Sequence, residues 1–397
     1  MTDARRTLVR RNPWPEGVSR PVVPPLQMAV VYASDSPDQL DAQYAGKVPG
    51  YTYAREGHPN ADHLATMIDG LEGAEGGLIL GSGMAAVSVV LMGLLKAGDH
   101  VIGGDQLYGR SLRLLTQEMS RYGIETTLAD CTSAAAIEAA TRPETKMILV
   151  EVMSNPTLRL ADMEGITKLA NERGILLVVD NTFTTPRAYR PLEHGADIVL
   201  HSVTKLLAGH ADVTLGYVAA RDPAVRKTIY DFAVTTGMTP SPFDCWLAER
   251  GLYSFNLRFD RAQENARALA DHLAGLKGIK RVVYPTRPDH PDHNRAGPLL
   301  GERGGNMVSF ELEGGRAAAN ALTLAMPEVA FAPTLGDVGT TLSHPNSSSH
   351  RAVPAAEREA VGITEGFFRI SVGVEEIEIL IEDFTRGVAA AAEAAKG

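Results

Sequence analysis

Short apolar runs alternate with amphipathic stretches through the middle of this chain. "GLIL" (77–80), "HVIGG" (100–104), "ETTLA" (125–129), "KMILVEV" (146–152), "ILLVVD" (175–180) and "ADIVL" (196–200) read as strands. Between them lie helix-like segments such as "GRSLRLLTQEMSRYG" and "MEGITKLANERG". Strands that are apolar on both faces, each followed by a helix, predict a mostly parallel sheet covered on both sides, an α/β fold. After about residue 250 the rhythm changes. "LRFDRAQENARALADHLAGLKG" (257–278) has the period of a long amphipathic helix, and "IKRVVYP" and "GGNMVSFELEGG" read as strands. "AAANALTLAM" and the segment after "FFRISVGVEE" read as helices, so a smaller α+β domain is expected here. Residues 1–56 carry Pro13, Pro15, Pro21, Pro24 and Pro25 without a clear period, an extended arm with no long helix. The expected domains are therefore 1–56, 57–250 and 251–397.

The run "GGLILGSGMAAVSVVLMGLL" has no charge over a length that could span a membrane. The "GSG" near its start divides it into a buried strand, a tight turn and a buried helix, which is the preferred reading. The balance of 38 Lys+Arg against 48 Asp+Glu, a net charge of −10, argues against nucleic acid and anionic membranes as partners. Cys131 and Cys245 stand far apart, outside any metal-binding spacing, and the first residues lack an apolar core of signal-peptide length. A cytoplasmic protein is expected.

Ligands of parallel α/β sheets bind beyond the carboxyl ends of the strands. "GLIL" runs into "GSGM" before a helix, where glycines and free N–H groups suit a phosphate. "ILLVVD" ends in Asp180, a carboxylate that needs a partner if buried. "ADIVL" is followed by "HSVTK", which places Ser202, Thr204 and the isolated Lys205 beside it. A helix-free return from Asp180 to Lys205 is expected to bring the two to adjacent strand ends. A buried Asp–Lys ion pair is the plain structural alternative, but such pairs are seldom retained for stability alone. A phosphate site, a carboxylate for a ring nitrogen and a poorly hydrated lysine together match the needs of pyridoxal phosphate.

The motifs "YTYAREGHPN", "LEGAEGGLILGSGMAA", "GDQLYGRS", "VVDNTFTTP", "GADIVLHSVTKLLAGH" and "FFRISVGVE" resemble those of the trans-sulfuration family of pyridoxal-phosphate enzymes. That family includes cystathionine γ-synthase, the cystathionine γ- and β-lyases, methionine γ-lyase and the homoserine sulfhydrylases. The resemblance spans the chain from about residue 20 and implies an aspartate-aminotransferase-like type I fold. It implies Lys205 as the Schiff-base lysine, Asp180 as partner of the pyridine nitrogen, and Gly83, Met84, Ser202 and Thr204 as the phosphate cradle. Tyr108 matches the tyrosine stacked on the ring, which also exchanges protons with the leaving group. Arg369 matches the arginine that holds the substrate α-carboxylate, with Asn155 nearby. Tyr53 and Arg55 match a pair that reaches the cofactor phosphate of a neighbouring subunit in a homotetramer.

Departures concentrate at the distal substrate pocket. Glu56 follows the arginine, Arg110 stands in "YGRS" where relatives carry a small or thiol-bearing residue, and Thr334 opens "TLGD" where "SLG" is usual. Either these residues meet an uncommon amino-acid substrate, or Glu56 and Arg110 pair with each other at the pocket rim. The expected activity is γ-elimination or γ-replacement on a sulfur-containing or activated homoserine-type amino acid. A β-lyase acting on cystathionine or cystine is the alternative, and a non-catalytic binding module fits the intact motif set poorly. "HPDHN" (290–294) reads as a loop rather than a metal site, His210 as a partner of local backbone groups, and Cys245 as core.

Overall fold

The computed structural model describes Ser19, residues 21–351 and residues 353–396; Pro13 and Pro15 of the expected arm lie outside these. Two sheets organise the chain. The first contains β1 (Leu78–Leu80), β2 (His100–Gly104), β3 (Glu125–Ala129), β4 (Thr145–Glu151), β5 (Leu176–Asp180), β6 (Ile198–Ser202) and β7 (Gly216–Ala220). Their order is β1-β7-β6-β5-β4-β2-β3. The β2–β3, β2–β4, β4–β5 and β5–β6 pairs are parallel, whereas β7 runs antiparallel to both β6 and β1. β2 and β7 are buried at every position, as expected for strands with helices on both faces.

The apolar run after residue 76 folds as the "GSG" break predicts. β1 ends, Ser82 caps the next helix by accepting from Ala85 N–H at 3.0 Å, and Gly83–Leu94 follows. Such a cap contributes about 1 kcal/mol. Among the described residues, no helix is long and apolar enough to cross a membrane. Between residues 21 and 57 the chain is mainly irregular, with one short helix, Pro37–Tyr44, and a bridge between Val31 and Tyr53.

The second sheet consists of β8 (Ile279–Val283), β9 (Met307–Leu312), β10 (Ala330–Phe331), β11 (Thr341–Ser343) and β12 (Phe367–Ser371), ordered β10-β11-β12-β9-β8. Helices Phe255–Ala274 and Ile377–Ala394 cover it. Leu269, Leu273, Phe310, Phe368 and Phe384 share one buried cluster there. A different cluster crosses to the first sheet, joining Val150 and Phe183 with Met307 and Leu335. Apolar packing therefore runs continuously from one sheet to the other.

One expectation is corrected. The return from β5 to β6 contains helical turns at Thr185–Ala188 and Pro191–His194. The Pro at the second position of the first turn and the Pro that opens the second are compatible with helix starts, where a missing N–H costs nothing. β5 and β6 still lie side by side, with Asp180 opposite Leu200.

Candidate active site

Asp180 is the last residue of β5, and its Oδ1 accepts from the backbone N–H of Thr182 at 3.0 Å and from the Thr182 hydroxyl at 2.6 Å. The same hydroxyl accepts from Ser202 N–H at 2.8 Å, tying the ends of β5 and β6 together. Burial raises the Asp180 carboxyl above its ordinary range, while the Thr182 bonds and nearby His201 oppose that rise. Oδ2 takes part in neither Thr182 bond.

Lys205 follows β6, its backbone N–H bonded to Ser202 O at 3.2 Å. It does not pair with Asp180: Nζ donates to Thr334 Oγ1 at 3.4 Å. Burial lowers its ammonium below the ordinary lysine range, and the charge of Arg369 lowers it further. Gly336, at φ +82°, permits this approach, because a Cβ there would lie 2.5 Å from Leu206 N and 2.8 Å from the Lys205 carbonyl carbon.

Arg369, 5% exposed, projects from β12. Its Nη1 donates to Asn155 Oδ1 at 2.6 Å and its Nη2 to Thr334 O at 2.9 Å. Nε is buried without a partner, and burial pushes the guanidinium down to about 10. The guanidinium also lies 5.9 Å from the centre of the Phe183 ring. Tyr108 is 40% exposed and immediately precedes the helix Gly109–Arg113.

Gly83 opens the helix after β1, at the place where N–H groups have no intrahelical acceptor. A Cβ on it would meet Ser202 Cβ at 2.6 Å and Oγ at 2.8 Å. The glycine thus lets the helix start sit directly against Ser202, with Met84 next in line. Thr204 lies two residues beyond Ser202. Its hydroxyl is engaged with the backbone of Leu215, accepting from N–H at 3.0 Å and donating to O at 3.2 Å.

Four of the sequence candidates, Tyr53, Arg55, Glu56 and Arg110, form no hydrogen bond or ion pair with Lys205, Asp180 or Arg369 within the chain. Arg55 donates to Val234 O at 3.1 Å and lies over the Tyr53 ring at 5.4 Å. Arg55 and Glu56 line a cavity of about 290 Å³ with Arg226 and Tyr230, which includes none of Lys205, Asp180 or Arg369. Glu56 accepts from the Thr52 hydroxyl at 2.9 Å, so the expected alternative of a Glu56–Arg110 pair does not form within the chain. Arg110 is exposed, and its side chain has no hydrogen-bond or ion-pair partner among the described residues.

Other candidates resolve simply. His210 Nδ1 bonds Ala208 O at 2.7 Å, and Cys245 is buried in the helix Pro242–Leu252. His290 bonds Leu158 O through Nε2 and accepts from Asp292 N–H through Nδ1. Among the described residues, no three His, Cys, Asp or Glu side chains are placed to hold a metal. Sequence reasoning missed Thr182, Phe183, Glu151 and His350. Glu151 offered the same signal as Asp180, a carboxylate closing an apolar strand.

These residues fit pyridoxal phosphate. The unpartnered Nε of Arg369 can take a carboxylate, the Gly83 helix start can take a phosphate, and the desolvated amine of Lys205 suits a carbonyl carbon.

The profile of the Cys/Met metabolism PLP-dependent enzymes matches residues 6–389. The chain is 38% identical to cystathionine beta-lyase of Bacillus subtilis over 96% of its length and 95% of the relative's. It is 36% identical to L-methionine gamma-lyase of Porphyromonas gingivalis over 92% of each. The crystal structure of cystathionine gamma synthase from Xanthomonas oryzae pv. oryzae superposes with a TM-score of 0.88 at 36% identity, covering 94% of both chains. With matches of this identity along nearly its whole length, the chain belongs to the Cys/Met metabolism family of PLP-dependent enzymes, adopts their type I fold, and is a lyase or transferase whose cofactor is pyridoxal phosphate.

Proposed function

We propose that the enzyme catalyses γ-elimination or γ-replacement on a sulfur-containing or activated homoserine-type L-amino acid. The observation that carries this reading is the placement of one desolvated amine, Lys205, beside one incompletely bonded guanidinium, Arg369. An α-amino acid presents a carboxylate and an acidic α-proton at just this separation of tasks.

Lys205 would hold the cofactor at its carbonyl carbon, Asp180 at the ring nitrogen, Tyr108 against the ring face, and Gly83, Met84, Ser202 and Thr204 around the phosphate. When bound, pyridoxal phosphate supplies a sink for the electrons left behind as a bond at the substrate α-carbon breaks. Arg369 and Asn155 orient the α-carboxylate, and Thr334 restrains the Lys205 amine before it is needed. Because its ammonium is destabilised, Nζ serves as a neutral base, removing the α-proton and, for γ-chemistry, a second proton from the β-carbon. The Tyr108 hydroxyl gives a proton to the departing group.

We assign the chain an arm to residue 56, a cofactor-binding domain over 57–250 and a C-terminal domain over 251–397; the distribution of the two sheets supports this division. Tyr53 and Arg55 we assign to the site of a neighbouring subunit in a homotetramer. Arg55 lines a cavity of its own chain that does not include Lys205, which supports that placement. Glu56 and Arg110 are the proposed distal-pocket residues.

The β-lyase alternative stays open because the chain is 38% identical both to a cystathionine beta-lyase and to a cystathionine gamma-lyase of Bacillus subtilis. Mass-spectrometric identification of the keto acid separates the two. L-Cystathionine, methionine, O-acetylhomoserine and cystine are the panel. 2-Oxobutyrate establishes γ-chemistry, whereas pyruvate alone assigns the enzyme to the β-lyase branch.

A further inference from the structure

β4 stays buried from Met147 through its last residue, Glu151, which is itself 8% exposed. Its parallel register sets Glu151 directly beside Asp180 on β5. Neighbouring strands lie about 4.8 Å apart. Two carboxylates at adjacent strand ends in a water-poor cleft do not both ionise, since each charge disfavours the other. The surroundings decide which one keeps the proton. Asp180 has two Thr182 donors and nearby His201, which is hydrogen-bonded to Glu72. Glu151 has the Tyr108 N–H at 2.7 Å on Oε1, while Oε2 is buried with no partner. A full charge on an oxygen so placed is far costlier than a neutral hydroxyl. Burial and the Asp180 charge both move the Glu151 carboxyl well above its ordinary range, against the Tyr108 and Asn155 backbone groups.

The bond from Tyr108 has a second consequence. Helix Gly109–Arg113 runs on through Leu114–Glu118 and Met119–Tyr122, but no side chain caps its start, where N–H groups lack intrahelical acceptors. Glu151 is the group that ties this start, and with it the Tyr108 ring, to the end of the sheet.

We propose that Glu151 is a positioning residue that works as an un-ionised carboxylic acid, fastening the Tyr108 backbone to β4 and leaving Asp180 as the ionised carboxylate for the cofactor nitrogen. It touches neither substrate nor reacting atoms. The part concerning Tyr108 rests on the proposed placement of that tyrosine against the ring.

The holoenzyme tests this with Glu151→Gln, which keeps a neutral oxygen acceptor, and Glu151→Ala, which removes it. Expected for Gln are kcat and cofactor affinity within about threefold of wild type, and for Ala a fall in kcat of about tenfold with little change in KM. A merely structural role would lower thermal stability in both without that split. Equal loss in both variants overturns the proposal, because it would mean that the ionised form is required. Infrared difference spectra of wild type minus Glu151→Gln at pH 7 give a readout independent of activity. The carbonyl band of a protonated carboxylic acid is expected, and a carboxylate band in its place refutes the assignment even if the Ala variant fails to fold. Tyr108→Phe separates the two readings. Unchanged turnover in that variant removes the tyrosine's proton-donor role, while the infrared band still decides the state of Glu151.

Discussion

Arg369 Nη1 donates to Asn155 Oδ1 at 2.6 Å, joining β12 of the second sheet to the turn after β4 of the first. The bond fixes the guanidinium between the two sheets while Nε remains without a protein partner. The planar fork, rather than the positive charge alone, is what this arrangement uses.

Arg369→Lys should therefore raise KM for any accepted amino acid by roughly thirtyfold, corresponding to about 2 kcal/mol for a lost charge-assisted hydrogen bond. The effect on kcat should be smaller. Steady-state kinetics check this, and an unaltered KM would remove Arg369 from the carboxylate site.

Gly83→Ala places a methyl 2.6 Å from Ser202 Cβ, so either the helix start or β6 must move. The expected result is at least about a tenfold weaker Kd for pyridoxal phosphate, from loss of aligned N–H groups at the helix terminus. Fluorescence titration of the apoenzyme measures it, alongside apoenzyme Tm to register any general loss of folding. Undiminished affinity in a folded variant argues against a phosphate at this terminus.

His350 is buried beside Arg369 and Arg358, and burial pushes its imidazole down to about 4 from an ordinary 6.5. The unfolded chain binds a proton at this residue between those values and the folded chain does not. Its contribution to stability is thus fully present above pH 6.5 and is lost as pH falls toward about 4. The loss is on the order of 3 kcal/mol. His58, His100, His290 and His344 shift in the same direction. Tm should fall steadily below pH 6.5, and His350→Asn should flatten part of that slope. A variant with the wild-type slope would show that His350 is protonated in the native state.

Within one chain, Glu56 is held by Thr52 and the Arg110 side chain has no partner among the described residues. Glu56→Gln and Arg110→Ala should accordingly change KM by independent amounts. A double-mutant cycle measures this, with a coupling below about 0.5 kcal/mol expected for groups that do not touch. Larger coupling would mean that the two side chains meet in the assembled enzyme.

The strands that end in chemistry were the most legible. β4, β5 and β6 are apolar on both faces and stop at polar residues, so both their extent and their functional ends stand out in the sequence. β7 escaped because its signal is weak. Gly216 opens it without a side chain, since a Cβ there would lie 2.1 Å from Ser82 O, and its buried neighbours show no alternation. β11 has only three residues. At the site, residues that hold others were harder to see than residues that meet ligand. Thr182 matters because its hydroxyl joins two strands, and His350 because a loop folds back beside Arg369. Neither relation exists until the chain is folded. The serines of "HPNSSSH" likewise acquire meaning only in place: Ser347 accepts from Arg316, Ser348 donates to His344 O, and Ser349 bonds His350.

The separation of Arg55 from Lys205 along one chain has a genetic consequence. On the proposed sharing of sites, a Lys205→Ala subunit still offers a sound arm, and an Arg55→Ala subunit still offers a sound lysine. Two inactive alleles expressed together would then restore activity in the mixed assembly, because one of its composite sites inherits both intact halves. Defects in the same half would never complement one another.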